Sequence, residues 1–181
     1  MNIQVKKSLL FSTFFLFTLT ACGQTKEKDD TVGVHNTEKQ HKYYSHTDKT
    51  KLNLSDAEWE KILPEDLYLI SRKANTEASF TGKYWNYTGK GTYYCAACGN
   101  TLFRSDAKFA SQCGWPSFFE QVDKKSIIFK DDSSYGMNRI EALCGRCGGH
   151  LGHLFDDGPE PTGKRYCMNS IVLDFEPDAK K

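Results

Sequence analysis

The 181-residue sequence carries almost no net charge, 24 Lys and Arg against 23 Asp and Glu for a formal +1, and only five His. With no basic excess to neutralise a phosphate backbone, nucleic-acid binding is not expected. A membrane-spanning helix is missing too: the most apolar stretch, Ser8 to Thr20, covers 13 residues where about 20 are needed. No segment recurs at a fixed period, which sets repeat architectures aside. What is present suits one ordinary domain plus a leader, since 39% hydrophobic and 13% aromatic residues can build a core of normal size. Seven Cys remain to be explained, and an odd count means that one stands apart.

Residues 1–21 read as a secretory signal, with Lys6 and Lys7 ahead of the Phe- and Leu-rich run. The run ends in Leu19-Thr20-Ala21-Cys22, which resembles the lipobox of bacterial lipoproteins. That resemblance makes Cys22 the lipidated residue and the odd cysteine, and it implies an exported protein held on a membrane by several acyl chains, facing the periplasm or the cell exterior. A plain secretory signal with a coincidental Cys is the alternative. Removal of the leader takes away two lysines and leaves a net charge of −1. Residues 22–51 are polar and without apolar period, so a disordered tether is expected there, with His35, His41 and His46 as solvated filler. The folded domain, 52–178 with a short tail at 179–181, then owns only His150 and His153.

Ser55-Asp56-Ala57-Glu58 has the form of a capping box and predicts a helix from Asp56 to about Leu63. Pro64 suits the first turn of a second helix reaching about Lys73, with Asn75 able to close it. Beyond Thr76 the pattern turns to short β-rich pieces, at 93–95, 101–103, 126–130, 137–143, 165–169 and 171–175. A mainly antiparallel β domain with short N-terminal helices is the fold expected.

Cys95-Ala96-Ala97-Cys98 and Cys144-Gly145-Arg146-Cys147 are matched knuckles, each followed by Gly. Two such turns complete a tetrahedral thiolate site, and Zn²⁺ is its usual occupant. Structural disulfides, or a redox pair of the thioredoxin kind, are the alternatives. Zinc fits better, because the knuckles match and no βαβ context surrounds either one. With four protein ligands no position is left for a catalytic water, so the role is structural.

Cys113 and Cys167 are left over. They lie in Ser111-Gln112-Cys113-Gly114-Trp115-Pro116-Ser117-Phe118 and Arg165-Tyr166-Cys167-Met168-Asn169-Ser170, while Gly149-His150-Leu151-Gly152-His153-Leu154-Phe155 holds both domain histidines. An exported protein could simply bond the two cysteines. Sulfur redox chemistry needs a thiolate, a proton donor, an apolar pocket and a second thiol, and these strings offer one of each.

Together with Thr81-Gly82-Lys83-Tyr84, Leu102-Phe103 and Asp157-Gly158-Pro159, these strings resemble the B-type peptide methionine sulfoxide reductases, in order from about residue 55 to 176. Two departures are Asn75 and Ser79, where the family often has Gly and Pro; they bear on loop geometry and leave the chemistry untouched. The resemblance implies reduction of the R epimer of methionine sulfoxide in oxidised proteins or peptides. Cys167 would be the nucleophile, left as a sulfenic acid, and Cys113 the resolving thiol that forms a disulfide with it.

His153 would protonate or orient the sulfoxide oxygen, with His150 supporting it at the substrate. Asn169, two residues beyond the nucleophile, would share its strand face and hydrogen-bond substrate or water. Trp115 would wall the methyl pocket, whereas Tyr166, Met168, Phe118 and Phe155 read as core. Arg139 and Glu141 alternate on one strand, as a structural pair or with Arg139 in the site. An exported monomer of this kind would draw electrons from a membrane-linked thioredoxin-fold donor. Two rival readings are a non-catalytic, zinc-stabilised lipoprotein binding domain and a protein disulfide oxidoreductase, although nothing resembles a thioredoxin fold.

Overall fold

The computed structural model describes residues 41–179, so the leader, Cys22 and the tether up to residue 40 lie outside the described residues. Two helices open the domain, α1 (Asp56–Ile62) and α2 (Glu65–Lys73). The capping box forms as expected: Glu58 N donates to Ser55 Oγ at 3.3 Å and Ser55 N to Glu58 Oε2 at 2.8 Å. Such a cap is worth about 1 kcal/mol. Pro64 sits one position earlier than expected, at the N-cap of α2, and Ala74, not Asn75, takes the left-handed conformation that ends the helix.

Nine strands follow among the described residues, β1 (Gly91–Cys95), β2 (Thr101–Arg104), β3 (Lys108–Phe109), β4 (Ser117–Phe118), β5 (Ile127–Asp132), β6 (Arg139–Cys144), β7 (His150–Phe155), β8 (Arg165–Met168) and β9 (Leu173–Pro177). They form two antiparallel sheets, one ordered β2-β1-β9 and the other β3-β4-β8-β7-β6-β5. Aromatic side chains join them: Phe103 of β2 stacks on Phe118 of β4 at 4.1 Å, and Tyr93 of β1 meets the same ring edge-on at 5.0 Å. Pairs of this kind add about 0.5–1.5 kcal/mol beyond the apolar area they bury.

Three strands escape a reading by sequence pattern. Both β3 and β4 are only two residues long, and β7 carries two histidines and a glycine where β-branched residues would have advertised it. Yet β7 is a central strand. Gly152 is required there by close approach, since a Cβ at that position would lie 2.0 Å from the carbonyl oxygen of Cys167 on β8.

The tether expected over 22–51 is corrected over its described part. His41 Nε2 lies 3.0 Å from Ala97 O, Ser45 N donates to Cys98 O at 3.0 Å, and Tyr44 Oη donates to Asp174 at 2.7 Å. The His46 ring stacks on Tyr94 at 3.7 Å. Arg146, inside the second knuckle and 2% exposed, donates to Tyr43 O, Thr50 O, Cys98 O and Asp48. A buried guanidinium is tolerable because each of its nitrogens has an acceptor. Residues 41–51 therefore form a strap on the domain, and His41 and His46 are packed groups. Polar composition hid this, because the strap is held by hydrogen bonds and ring stacking with little apolar burial.

Candidate active site and metal centre

The two knuckles converge as expected. Cys95, Cys98, Cys144 and Cys147 are all buried, and their four sulfurs lie within 4.8 Å of one another. The spacings across the knuckles are 3.8 Å for Cys95 to Cys147 and 3.6 Å for Cys98 to Cys144. A disulfide needs about 2.05 Å, whereas a tetrahedron of sulfurs about 2.3 Å from a central ion has edges of about 3.8 Å. The donor set and its spacing fit Zn²⁺, held by these four residues. Each knuckle is a backbone turn, with Gly99 N donating to Cys95 O at 2.7 Å and Gly148 N to Cys144 O at 2.8 Å.

The second thiol centre lies on the six-stranded sheet. Register places Lys130, Glu141, His153, Cys167 and Ser117 side by side across β5, β6, β7, β8 and β4. Directly opposed residues project to the same face, so this rung sets His153 and Ser117 on either side of Cys167. Cys113, in the loop before β4, brings its sulfur to 3.5 Å from that of Cys167, both thiols being reduced. Its turn needs Gly114, at φ +85°, because a Cβ there would meet Phe80 and Ser79 at 2.8 Å.

Burial, then the neighbouring Cys113 sulfur, pushes the Cys167 thiol up to about 12, with the Arg165 guanidinium acting in the opposite sense. Burial acts to raise Cys113 as well, but hydrogen bonding to the Ser111 and Ser117 hydroxyls outweighs it and holds that thiol at about 7. Ser111 Oγ is 2.9 Å from Cys113 Sγ, and Ser117 Oγ 3.5 Å. Of the two thiols, Cys113 is therefore the more readily ionised.

A cavity of about 120 Å³ opens on Cys167, lined among others by Trp115, Arg139, His153, Phe155 and Asn169. Trp115, expected at the methyl pocket, is one of the residues that line this cavity. Phe155, expected in the core, instead lines the cavity under the Arg165 guanidinium, which lies 4.3 Å from the ring centroid and is paired to Asp157 at 2.7 Å.

The histidines depend on an irregularity in the sheet. Three residues apart, His150 and His153 would face opposite sides of a regular strand, but β7 carries a bulge where Ala142 pairs Gly152 and Leu143 pairs His150. The extra residue, Leu151, is fully buried, and the two rings come within 5.5 Å. His153 Nε2 lies 2.8 Å from Asp132 Oδ2, the same oxygen that accepts from Arg139 at 2.6 Å. Hydrogen bonding to Ser134, then to His153, holds the Asp132 carboxyl well below its usual range, so it stays ionised and Nε2 carries the hydrogen.

His150, expected at the substrate, is 4% exposed and does not line the cavity. Its Nδ1 lies 2.7 Å from Glu141. Burial pushes the His150 pKa down, with Glu141 acting against that trend. Arg139 and Glu141 do not pair with each other: Arg139 binds Asp132 and Glu141 binds His150.

Asn169 sits just past the end of β8, and its side chain is already occupied. Its Oδ1 accepts from Glu77 N at 3.0 Å and its Nδ2 donates to Leu151 O at 3.2 Å. It lines the cavity, but as part of a frame centred on Glu77. That residue spends every polar group there: its carbonyl accepts from Trp115 Nε1 at 3.2 Å, and its carboxylate accepts from Ser170 N at 2.6 Å and Ile171 N at 3.0 Å. Sequence reasoning missed both Glu77 and Asp132. Glu77 belongs to the loop between Asn75 and Phe80 whose departures seemed remote from the chemistry, and Asp132 was hidden among the charges at the end of β5.

Comparison with known proteins agrees with this geometry. The SelR domain model matches residues 63–177. The chain is 54% identical over 127 residues to the peptide methionine sulfoxide reductase MsrB of Agrobacterium fabrum, covering 70% of this chain and 94% of that protein. It is 52% identical to the Methanosarcina barkeri protein of the same name, over 67% and 86% of the two chains, and 52% identical to that of Leptospira interrogans, over 70% and 96%. The chain thus belongs to the SelR family, the B-type methionine sulfoxide reductases.

Proposed function

We propose that this protein reduces the R epimer of methionine sulfoxide in oxidised peptides and proteins, with Cys167 as nucleophile and Cys113 as resolving thiol. One observation carries the reading: two reduced sulfurs 3.5 Å apart, only one of which opens on a cavity walled by an indole and an imidazole. Although Cys113 is the more readily ionised thiol, it does not line that cavity, so access assigns the attack to Cys167.

Cys167 Sγ gives its proton to the ionised Cys113 sulfur 3.5 Å away as it attacks the substrate sulfur, and the sulfur–oxygen bond breaks as the oxygen, protonated from His153, passes to Cys167 as a sulfenic acid. Methionine is released. Cys113 then displaces that oxygen as water and forms the disulfide, which a thiol donor must reduce. With Nε2 committed to Asp132, a proton delivered by His153 to the sulfoxide oxygen leaves from Nδ1. Trp115 receives the methyl group, and the Glu77 frame fixes its distance from the nucleophile strand. Zn²⁺, when bound, holds the knuckles together and takes no part in these steps.

Cys22 as a lipid anchor, an exported location on a membrane, a thioredoxin-fold donor there and a monomeric state complete the proposal. The Leu19-Thr20-Ala21-Cys22 string supports the anchor and the exported location, and the need to reduce the Cys113–Cys167 disulfide there supports the donor. The deciding assay compares R and S epimers of a blocked methionine sulfoxide with dithiothreitol as reductant. Consumption of R alone is expected, and equal consumption of both would defeat the assignment.

A further inference from the structure

The turn between β5 and β6, residues 133–138, projects beside the catalytic cavity and carries a methionine. Its tip is open. Tyr135 is 92% exposed, and a Cβ placed on Gly136 would meet no atom within 4 Å. Met137 is 42% exposed, whereas Met168, the other methionine among the described residues, is fully buried at 0%. An oxidant in solution therefore reaches Met137 well before Met168, since thioether oxidation follows exposure.

The base of the turn is the active site itself. Asp132 and Arg139 face each other across β5 and β6, 2.6 Å apart, and the same Asp132 oxygen holds His153. Asp132 thus ties Arg139 and His153 together at the base, while the tip that carries Met137 is open to a second molecule. The exposed turn has the form of the substrate class, a methionine in a projecting peptide.

We infer that Met137 is a substrate of the enzyme itself, its R sulfoxide being reduced by Cys167 of a second copy. The inference rests on Cys167 acting as proposed above. In the damaging step a peroxide transfers one oxygen to the thioether sulfur, which loses two electrons, while the peroxide is reduced to water. In the repairing step Cys167 of the second copy attacks that sulfur and takes the oxygen as a sulfenic acid. Cys113 of the same copy releases it as water, and the resulting disulfide is reduced by dithiothreitol or the natural donor. Because each reductase class handles one epimer, a mixed sulfoxide at Met137 should be repaired only by about half.

The experiment separates target from catalyst. A full-length Cys113→Ser, Cys167→Ser double variant is treated with hydrogen peroxide, cleared with catalase, and incubated with untreated wild-type protein and dithiothreitol, with a blocked R sulfoxide in the same tube. Peptide mass mapping should show one added oxygen at Met137 before any at Met168. That signal should fall by about half with wild-type protein and stay constant without it. Persistence of the Met137 sulfoxide while the blocked substrate is consumed overturns the inference, as does earlier oxidation of Met168. If the blocked substrate also survives, the assignment of Cys167 fails and the inference falls with it.

Discussion

Two thiol centres in one chain differ in what surrounds them more than in how their sulfurs are spaced. Four sulfurs at 3.6 and 3.8 Å across the knuckles are buried and face one another from two backbone turns. Two sulfurs at 3.5 Å lie half-buried, one of them lining a cavity, among hydroxyls, a guanidinium and an imidazole. In the first case every lone pair that could do chemistry converges on one point, where a metal would hold it. In the second, one sulfur opens on the cavity with another 3.5 Å away from it. Thiol spacing alone therefore does not distinguish structure from catalysis; access does.

Replacing a sulfur in each centre should show the contrast at its largest. Cys144→Ser should release zinc and cost about 5 kcal/mol or more, read as loss of a cooperative unfolding transition together with metal content. Cys167→Ser should leave that transition within about 2 °C while R-sulfoxide reduction falls by about 10³-fold or more. A Cys167 variant with full activity would break the comparison. Cys113→Ser should give about one equivalent of methionine per enzyme in rapid quench and then stop, because the sulfenic acid has no internal thiol to resolve it.

Smaller effects sharpen the description of the second centre. Asp132→Asn removes the carboxylate that holds His153 and Arg139, and kcat should fall by about 10–100-fold with little change in KM. Glu77→Gln replaces one acceptor by a donor aimed at a backbone N–H, so the Trp115 wall should loosen. KM should rise by about 5–10-fold, with a change in indole fluorescence that a remote destabilising variant would not produce.

The smallest expected effect is a matter of order between the two thiols. Cys113, held at about 7 against a usual 9, should be about half ionised at pH 7, where an ordinary thiol is about 1% ionised. Cys167, raised to about 12, should remain protonated there. Iodoacetamide at pH 7 should therefore label Cys113 first, with a rate that rises through pH 7 and levels above it. In Cys113→Ser the neighbouring negative charge is gone, so the Cys167 pKa should drop and its alkylation at pH 9 should quicken.

The cysteine strings were legible because their chemistry is local. A knuckle is a four-residue turn, and two matched ones announce a metal site whatever the intervening chain does. Trp115 and Cys167 were legible for the same reason, each sitting in a string that carries its own context. The second helix, the capping box and most long strands followed from caps and period. What stayed hidden depends on residues far apart in the chain: the strap at 41–51, the strand β7, the Glu77 frame, and the pairing of Asp132 with His153. No local pattern encodes a hydrogen bond across 92 residues, such as that from Glu77 to Asn169.

The sequence by itself determined that the seven cysteines fall one in the Leu19-Thr20-Ala21-Cys22 string, four in matched knuckles and one in each of two further strings, with His150 and His153 gathered in one motif. Tertiary structure decided how they are used. A bulge turned His150 and His153 to the same side of β7, but only His153 reached the cavity and a carboxylate that no motif had flagged. Residue types fix which chemistry is possible, because thiols and imidazoles bring their reactivity with them. Which of them perform it is set by burial, register and the partners each side chain meets, and those exist only once the sheets have paired.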